Sequence, residues 1–220
     1  MNKISRIEKK EITRDWGNLL KDYTLYKSSC FIKRNGPILT GIYLRPSDAG
    51  YRYTPQFHLH SLLKPSSFIT LSPVFSLCNK KNVADAISYR RHCNEFEQIA
   101  LEFKTQFSEA FIKRADCKII DEIYNRSKYQ YVGYPYNEMT EHVILLYWCG
   151  YESLVEEKIK EYKNRIQQWP EAVILNINGE SGWESNVREL MDINKMNNTI
   201  NEELNKLKLT KLQDYGLIYE

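Results

Sequence analysis

The chain has 220 residues, 42% of them apolar and 13% aromatic, which excludes an extended disordered protein and is enough to bury a core without staples. Its longest strongly apolar run, Val143–Cys149, is far short of the ~20 residues that cross a bilayer. Net charge is only +3, but residues 1–64 carry 12 Lys/Arg against 5 Asp/Glu, a net of +7, while residues 65–220 carry 19 against 23, a net of −4. The chain as a whole thus lacks the strongly basic balance of a nucleic-acid binder, and its polarity points to an oriented partner surface.

The first predicted element is a helix from Ile4 to about Tyr26, in which Ile7, Ile12, Trp16, Leu19, Leu20 and Tyr23 fall roughly at helical spacing. The pattern then changes. Two β-prone runs, Cys30–Arg34 and Ile38–Leu44, flank Asn35-Gly36-Pro37, a turn signal that predicts a hairpin. Residues 45–50 read as a loop. Tyr51–Leu63 reads as a third strand and Ser67–Leu77 as a fourth, interrupted at Pro73. Together they predict a small antiparallel sheet.

From about Val83 the period becomes helical. Phe96, Ile99, Ala100, Phe103, Phe107, Ala110 and Phe111 make the clearest amphipathic stripe in the chain. A shorter helix is expected over Asp116–Arg126, followed by an aromatic loop over residues 129–136. Asn137 is a candidate N-cap for a helix over Glu138–Cys149, which Gly150 ends. Ser153/Glu156, Ser181/Glu184 and Thr199/Glu202 have capping-box spacing. A helix with Leu154, Val155, Ile159, Tyr162 and Ile166 stops at Trp169-Pro170. Val173–Ile177 reads as a short strand, and Leu212–Glu220 as a tail.

Leu146, Tyr147, Gly150, Tyr151 and Glu152 resemble one helical hairpin of the tetratricopeptide kind, over about 30 residues of the 34-residue repeat. No second copy recurs, and a solenoid needs at least about three, so the pair reads as an ordinary αα-hairpin. The fold class expected is α+β: a small antiparallel sheet with an N-terminal helix, followed by a C-terminal helical bundle including that hairpin. Residues 1–80 form the strand-rich basic region and residues 81–220 the helical region. With no Gly-, Ser- or Pro-rich linker between them, they are expected to pack as one compact unit.

Five cysteines lie far apart with no CxxC pair, which reads as reduced thiols in a cytosolic protein. Residues 1–16 are charged throughout and have no apolar core of a signal peptide, so a cytoplasmic location is expected.

Chemistry-bearing patterns are few. His58 and His60 alternate onto one strand face, where a third ligand such as Asp48, His92 or Glu95 would be needed for a metal. No ligand spacing supports one, so the pair reads as the polar face of a half-buried strand, and no cofactor or metal is expected. Arg90-Arg91-His92, Lys80-Lys81, Arg45, Arg52 and Lys64 are candidates for a basic patch. Tyr129, Tyr131, Tyr134 and Tyr136 form an aromatic loop suited to an interface or to packing between the two halves. No GxSxG elbow, P-loop, dinucleotide fingerprint or HExxH motif occurs.

The function expected is therefore a non-catalytic protein-interaction adaptor or accessory subunit of a larger bacterial-type cytoplasmic assembly. A defence-system component or a toxin-immunity protein fits the same features. The binding residues would be the four tyrosines with Arg45, Arg52, Arg90 and Arg91. The partner expected is a protein, with nucleic acid as the alternative and no membrane.

Overall fold

The computed structural model describes residues 3–127 and 133–219 and has an α+β fold. The chain forms two compact units, both discontinuous. Unit 1 comprises Met1–His60, Val74–Ala115 and Leu212–Gly216, and unit 2 comprises Ser61–Pro73, Asp116–Lys211 and Leu217–Glu220.

Unit 1 opens with α1 (Arg6–Leu19), whose start is set by a capping box: Ser5 N donates to Glu8 Oε2 at 2.6 Å, and Glu8 N donates to Ser5 Oγ at 3.2 Å. The helix does not run on to Tyr26 as the spacing predicts. Thr24–Lys27 is instead β1, because Thr24 and Leu25 find ladder partners in Ile32 and Phe31 of β2 (Cys30–Asn35). An available sheet edge overrides weak helical periodicity. β2 and β3 (Ile38–Pro46) form the predicted hairpin, with Asn35 opposite Ile38 and only Gly36 and Pro37 in the turn. Gly36 supplies the positive φ of +58° that this tight reversal requires.

β4 (Arg52–Ser61) follows β3 in the sheet, and β5 (Val74–Ser76) and β6 (Ile87–Ser88) both pair with β4. Only these three residues of the predicted fourth strand become strand. The central strand β3 is buried from Ile38 to Ile42, as expected of a strand covered on both faces. α2 (Tyr89–Gln106) carries the phenylalanine stripe, and a single 3₁₀ turn, Ser108–Phe111, takes up the remainder. The core closes around Trp16, with Phe96 and Phe103 edge-on at 5.6 and 5.1 Å, and around Phe57, with Phe75 and Phe107 stacked on it.

Unit 2 holds helices α3 (Cys117–Ser127), α4 (Tyr136–Trp148), α5 (Glu152–Ile166), α6 (Glu171–Asn176), α7 (Gly179–Leu190) and α8 (Ile193–Lys206). α4 is buried from Met139 through Leu146, on every side rather than one, which makes it the centre of this unit. The α4–α5 turn is a Schellman closure at Gly150, φ +82°, with Tyr151 N donating to Leu146 O at 3.0 Å.

The expected strand at Val173–Ile177 is overturned, because that segment is α6. It starts directly after Pro170, whose fixed φ favours a first helical turn. None of the expected caps after residue 130 caps a helix. α4 begins at Tyr136 and Asn137 accepts from Lys64 instead; α8 begins six residues before Thr199, capped by Asp192. The tail also contains structure, a short strand at Leu217–Ile218.

Candidate binding surfaces

Every histidine is buried. His58 and His60 are not on a polar face, since β4 is buried on both sides from Pro55 to Ser61. Burial lowers both imidazoles to about 4, so they stand neutral at physiological pH. The His58 nitrogens make no hydrogen bond among the described residues. The backbone of Leu59 favours the charged form but does not offset burial. Gly41 on the adjacent strand makes room for this ring, because a Cβ there would lie 2.1 Å from His58 Cε1. No group of three His, Cys, Asp or Glu side chains converges among the described residues.

The other two histidines sit in similar relays. In unit 1, Trp16 Nε1 donates to Tyr53 Oη at 3.1 Å, Tyr53 Oη meets His92 Nδ1 at 2.7 Å, and His92 Nε2 meets Asp15 Oδ2 at 3.2 Å. A carboxylate needs a donor, so the network assigns the proton to Nε2, and the tyrosine hydroxyl donates to Nδ1. In unit 2, Tyr162 Oη meets His142 Nδ1 at 2.6 Å and Asp121 Oδ1 meets Nε2 at 2.7 Å, with Tyr124 stacked on the imidazole. Burial lowers both imidazole pKa values, against the pull of their aspartates. Burial likewise holds the Tyr53 hydroxyl well above its ordinary range. In each relay the imidazole bridges a tyrosine hydroxyl and an aspartate carboxylate, which satisfies buried polar groups.

The predicted aromatic loop is partly visible. Tyr129 and Tyr131 lie outside the described residues. Tyr134 and Tyr136, in unit 2, are 43% and 42% exposed. The Tyr134 ring leans on Trp169 at 5.1 Å, which orients it while leaving much of it open to water.

The predicted arginines separate into two kinds. Arg91 is spent internally, with Nη1 at 2.6 Å from Asp85 Oδ1 and Nε at 2.9 Å from Glu95 Oε2. Arg45, Arg52 and Arg90 are exposed and make no ion pair among the described residues. The sheet brings Arg52 and Arg90 to the same end, since Arg52 pairs with Ser88, two residues before Arg90. Lys3 and Lys9 come to that end with α1, because Ile4 N donates to Gly50 O at 2.9 Å. Sequence reasoning missed both lysines. Their signal was the capping box at Ser5, which marks where α1 begins.

One expectation about cysteine is overturned. Cys117 and Cys149 form a disulfide in unit 2, while Cys30, Cys78 and Cys93 are free. The spacing gave no hint of it, because the pairing joins the start of α3 to the end of α4 across 32 residues. Comparison with protein-family models, with curated proteins and with solved structures finds no match.

Proposed function

We propose that the protein is a non-catalytic adaptor or accessory subunit that docks a protein partner through Tyr134 and Tyr136. The observation that carries this reading is the pair of half-open tyrosine rings, one of them held in place by Trp169. Rigid aromatic rings with a polar tip supply interface area at low conformational cost. The buried histidine relays support a structural role at those positions. The setting that suits such a subunit is a larger bacterial-type cytoplasmic assembly, of which a defence system or a toxin-immunity pair is one kind. The Cys117–Cys149 bond weighs against a strictly reducing compartment, where structural disulfides are rare. Counting free thiols in freshly isolated protein decides that point.

Affinity capture with the native chain and with a Tyr134→Ala/Tyr136→Ala variant tests the docking role. Retention of a specific partner by the native chain alone, at equal thermal stability, is the expected result. A variant that captures the same partner equally well sinks the idea.

A second reading, a nucleic-acid accessory module, is favoured by the unpaired cations Lys3, Lys9, Arg52 and Arg90 at one end of unit 1. If these side chains engaged about four phosphates, affinity for duplex DNA would fall roughly 100-fold between 50 and 200 mM salt. An aromatic protein interface responds far less.

A further inference from the structure

At the end of unit 1 where α1 begins, α1, the β1–β2 turn and the β3–β4 loop line an open-mouthed cavity of about 150 Å³. Its inner wall is apolar, formed by the buried Ile4, Ile12 and Leu44. Its outer wall carries the exposed Lys9 and Arg52. The walls are tied together by backbone bonds: Ile4 N to Gly50 O at 2.9 Å, Leu44 N to Ser29 O at 2.8 Å, and Gly50 N to Ser47 O at 2.8 Å. Ser29 and Gly50, at φ +66° and +73°, lock the two turns. The cavity is thus preformed, which spares a ligand the cost of ordering it.

Neither Lys9 nor Arg52 has an acidic partner among the described residues, and the acids of α1 nearby are engaged elsewhere. Glu8 accepts from Ser5 N, and Glu11 accepts from the Tyr89 hydroxyl. Two uncompensated cations therefore converge on a small apolar cavity. That arrangement differs from scattered, solvated surface charge, because an anion between them would be tethered by whatever apolar group fills the space behind it.

We propose that this pocket binds a small aromatic carboxylate, with the ring against Ile4, Ile12 and Leu44 and the carboxylate between Lys9 and Arg52. Its volume, about 150 Å³, matches that of a cavity that accepts a benzene-sized ring. Tyr43, half-buried in the same wall, supplies a hydroxyl donor. The site belongs to unit 1 and stands independently of the Tyr134–Tyr136 face in unit 2.

Calorimetric titration of the full chain with phenylacetate tests it. One saturable site with a dissociation constant of about 1 mM is expected for a ligand of this size. Phenylacetamide, which keeps the ring and loses the charge, should bind about tenfold more weakly. Arg52→Gln and Lys9→Gln should each weaken phenylacetate by about tenfold while leaving the thermal midpoint unchanged, since both side chains are exposed. Methyl resonances of Ile4, Ile12 and Leu44 should shift on binding. Absence of saturable binding, equal affinity for the amide, unaltered affinity in both variants, or shifts confined to other methyls would each overturn the proposal.

Discussion

Gly41→Ala is the sharpest perturbation the fold offers. The new methyl would lie 2.1 Å from both Cε1 and Nε2 of His58, well inside van der Waals contact. The ring cannot swing away, because His58 is fully buried and its strand neighbours Phe57 and Leu59 are too. Overpacking of this kind costs roughly 3 kcal/mol. His58→Ala alone costs a similar amount, about 3 kcal/mol, through the cavity it leaves. In the double variant the methyl introduced at position 41 occupies part of that cavity. The pair should therefore be no less stable than His58→Ala alone, giving a coupling of about 3 kcal/mol where distant sites add within ~0.5 kcal/mol. Urea unfolding of the four proteins, followed by far-UV circular dichroism, reads this directly. Additive losses, or a Gly41→Ala protein as stable as the parent, would refute the close approach of the two strands' side chains.

Acid should destabilise unit 1. His58 and His60 fall to about 4 in the fold from ~6.5 in the unfolded chain. The unfolded state thus binds more protons between those values, and stability drops by about 3 kcal/mol per histidine as pH falls from 6.5 to 4; a flat profile over that range contradicts it. Unit 2 has the opposite tendency. Burial raises Glu141 to about 8, against Lys64, so its contribution fades as pH rises from the ordinary carboxyl range through 8, and Glu141→Gln should flatten that decline. Reduction of Cys117–Cys149 releases a loop spanning 32 residues, worth about 4 kcal/mol by chain entropy; denatured, unreduced protein should titrate as three free thiols, and five would sink the assignment. Asp214→Ala removes the acceptor of Gly36 N and Gly216 N, both at 2.8 Å, and the partner of Arg34; a loss of about 2 kcal/mol is expected in urea unfolding, and no change would show that these bonds are not maintained in solution.

Local chemistry explains which parts of the fold were readable. The Cys30–Leu44 hairpin carries its own turn residues, and the Phe96–Phe103 stripe its own period, so both appear where the pattern places them. Gly150 marks the αα-turn because only a left-handed position closes it so tightly. What was not readable depended on what packs beside a segment rather than on the segment's own pattern. Thr24–Lys27 looks like the end of a helix until β2 lies beside it. Glu156 and Glu184 have capping spacing but pair across helices, Glu156 with Arg188 and Glu184 with Lys163. His58 and His60 alternate like residues on a wet face, yet nothing local says that β4 is covered on both sides. The binding surfaces follow the same rule. Tyr134 and Tyr136 were visible as composition, whereas the convergence of Lys9 and Arg52 on a cavity required the β3–β4 loop to meet α1.

The clasp at the β2–β3 hairpin sets an order of events during synthesis. Arg34, Asn35 and Gly36 are held by Asp214 and Gly216, so unit 1 lacks its last segment until residue 216 has left the ribosome. The bonded groups are up to 181 residues apart in sequence, and closing so long a loop is slow. Until residues 212–216 have emerged, the hairpin tip is therefore an open end whose Arg34 lacks its Asp214 partner. A nascent chain stalled before residue 212 should expose this edge to proteases that a chain carrying residues 212–216 resists.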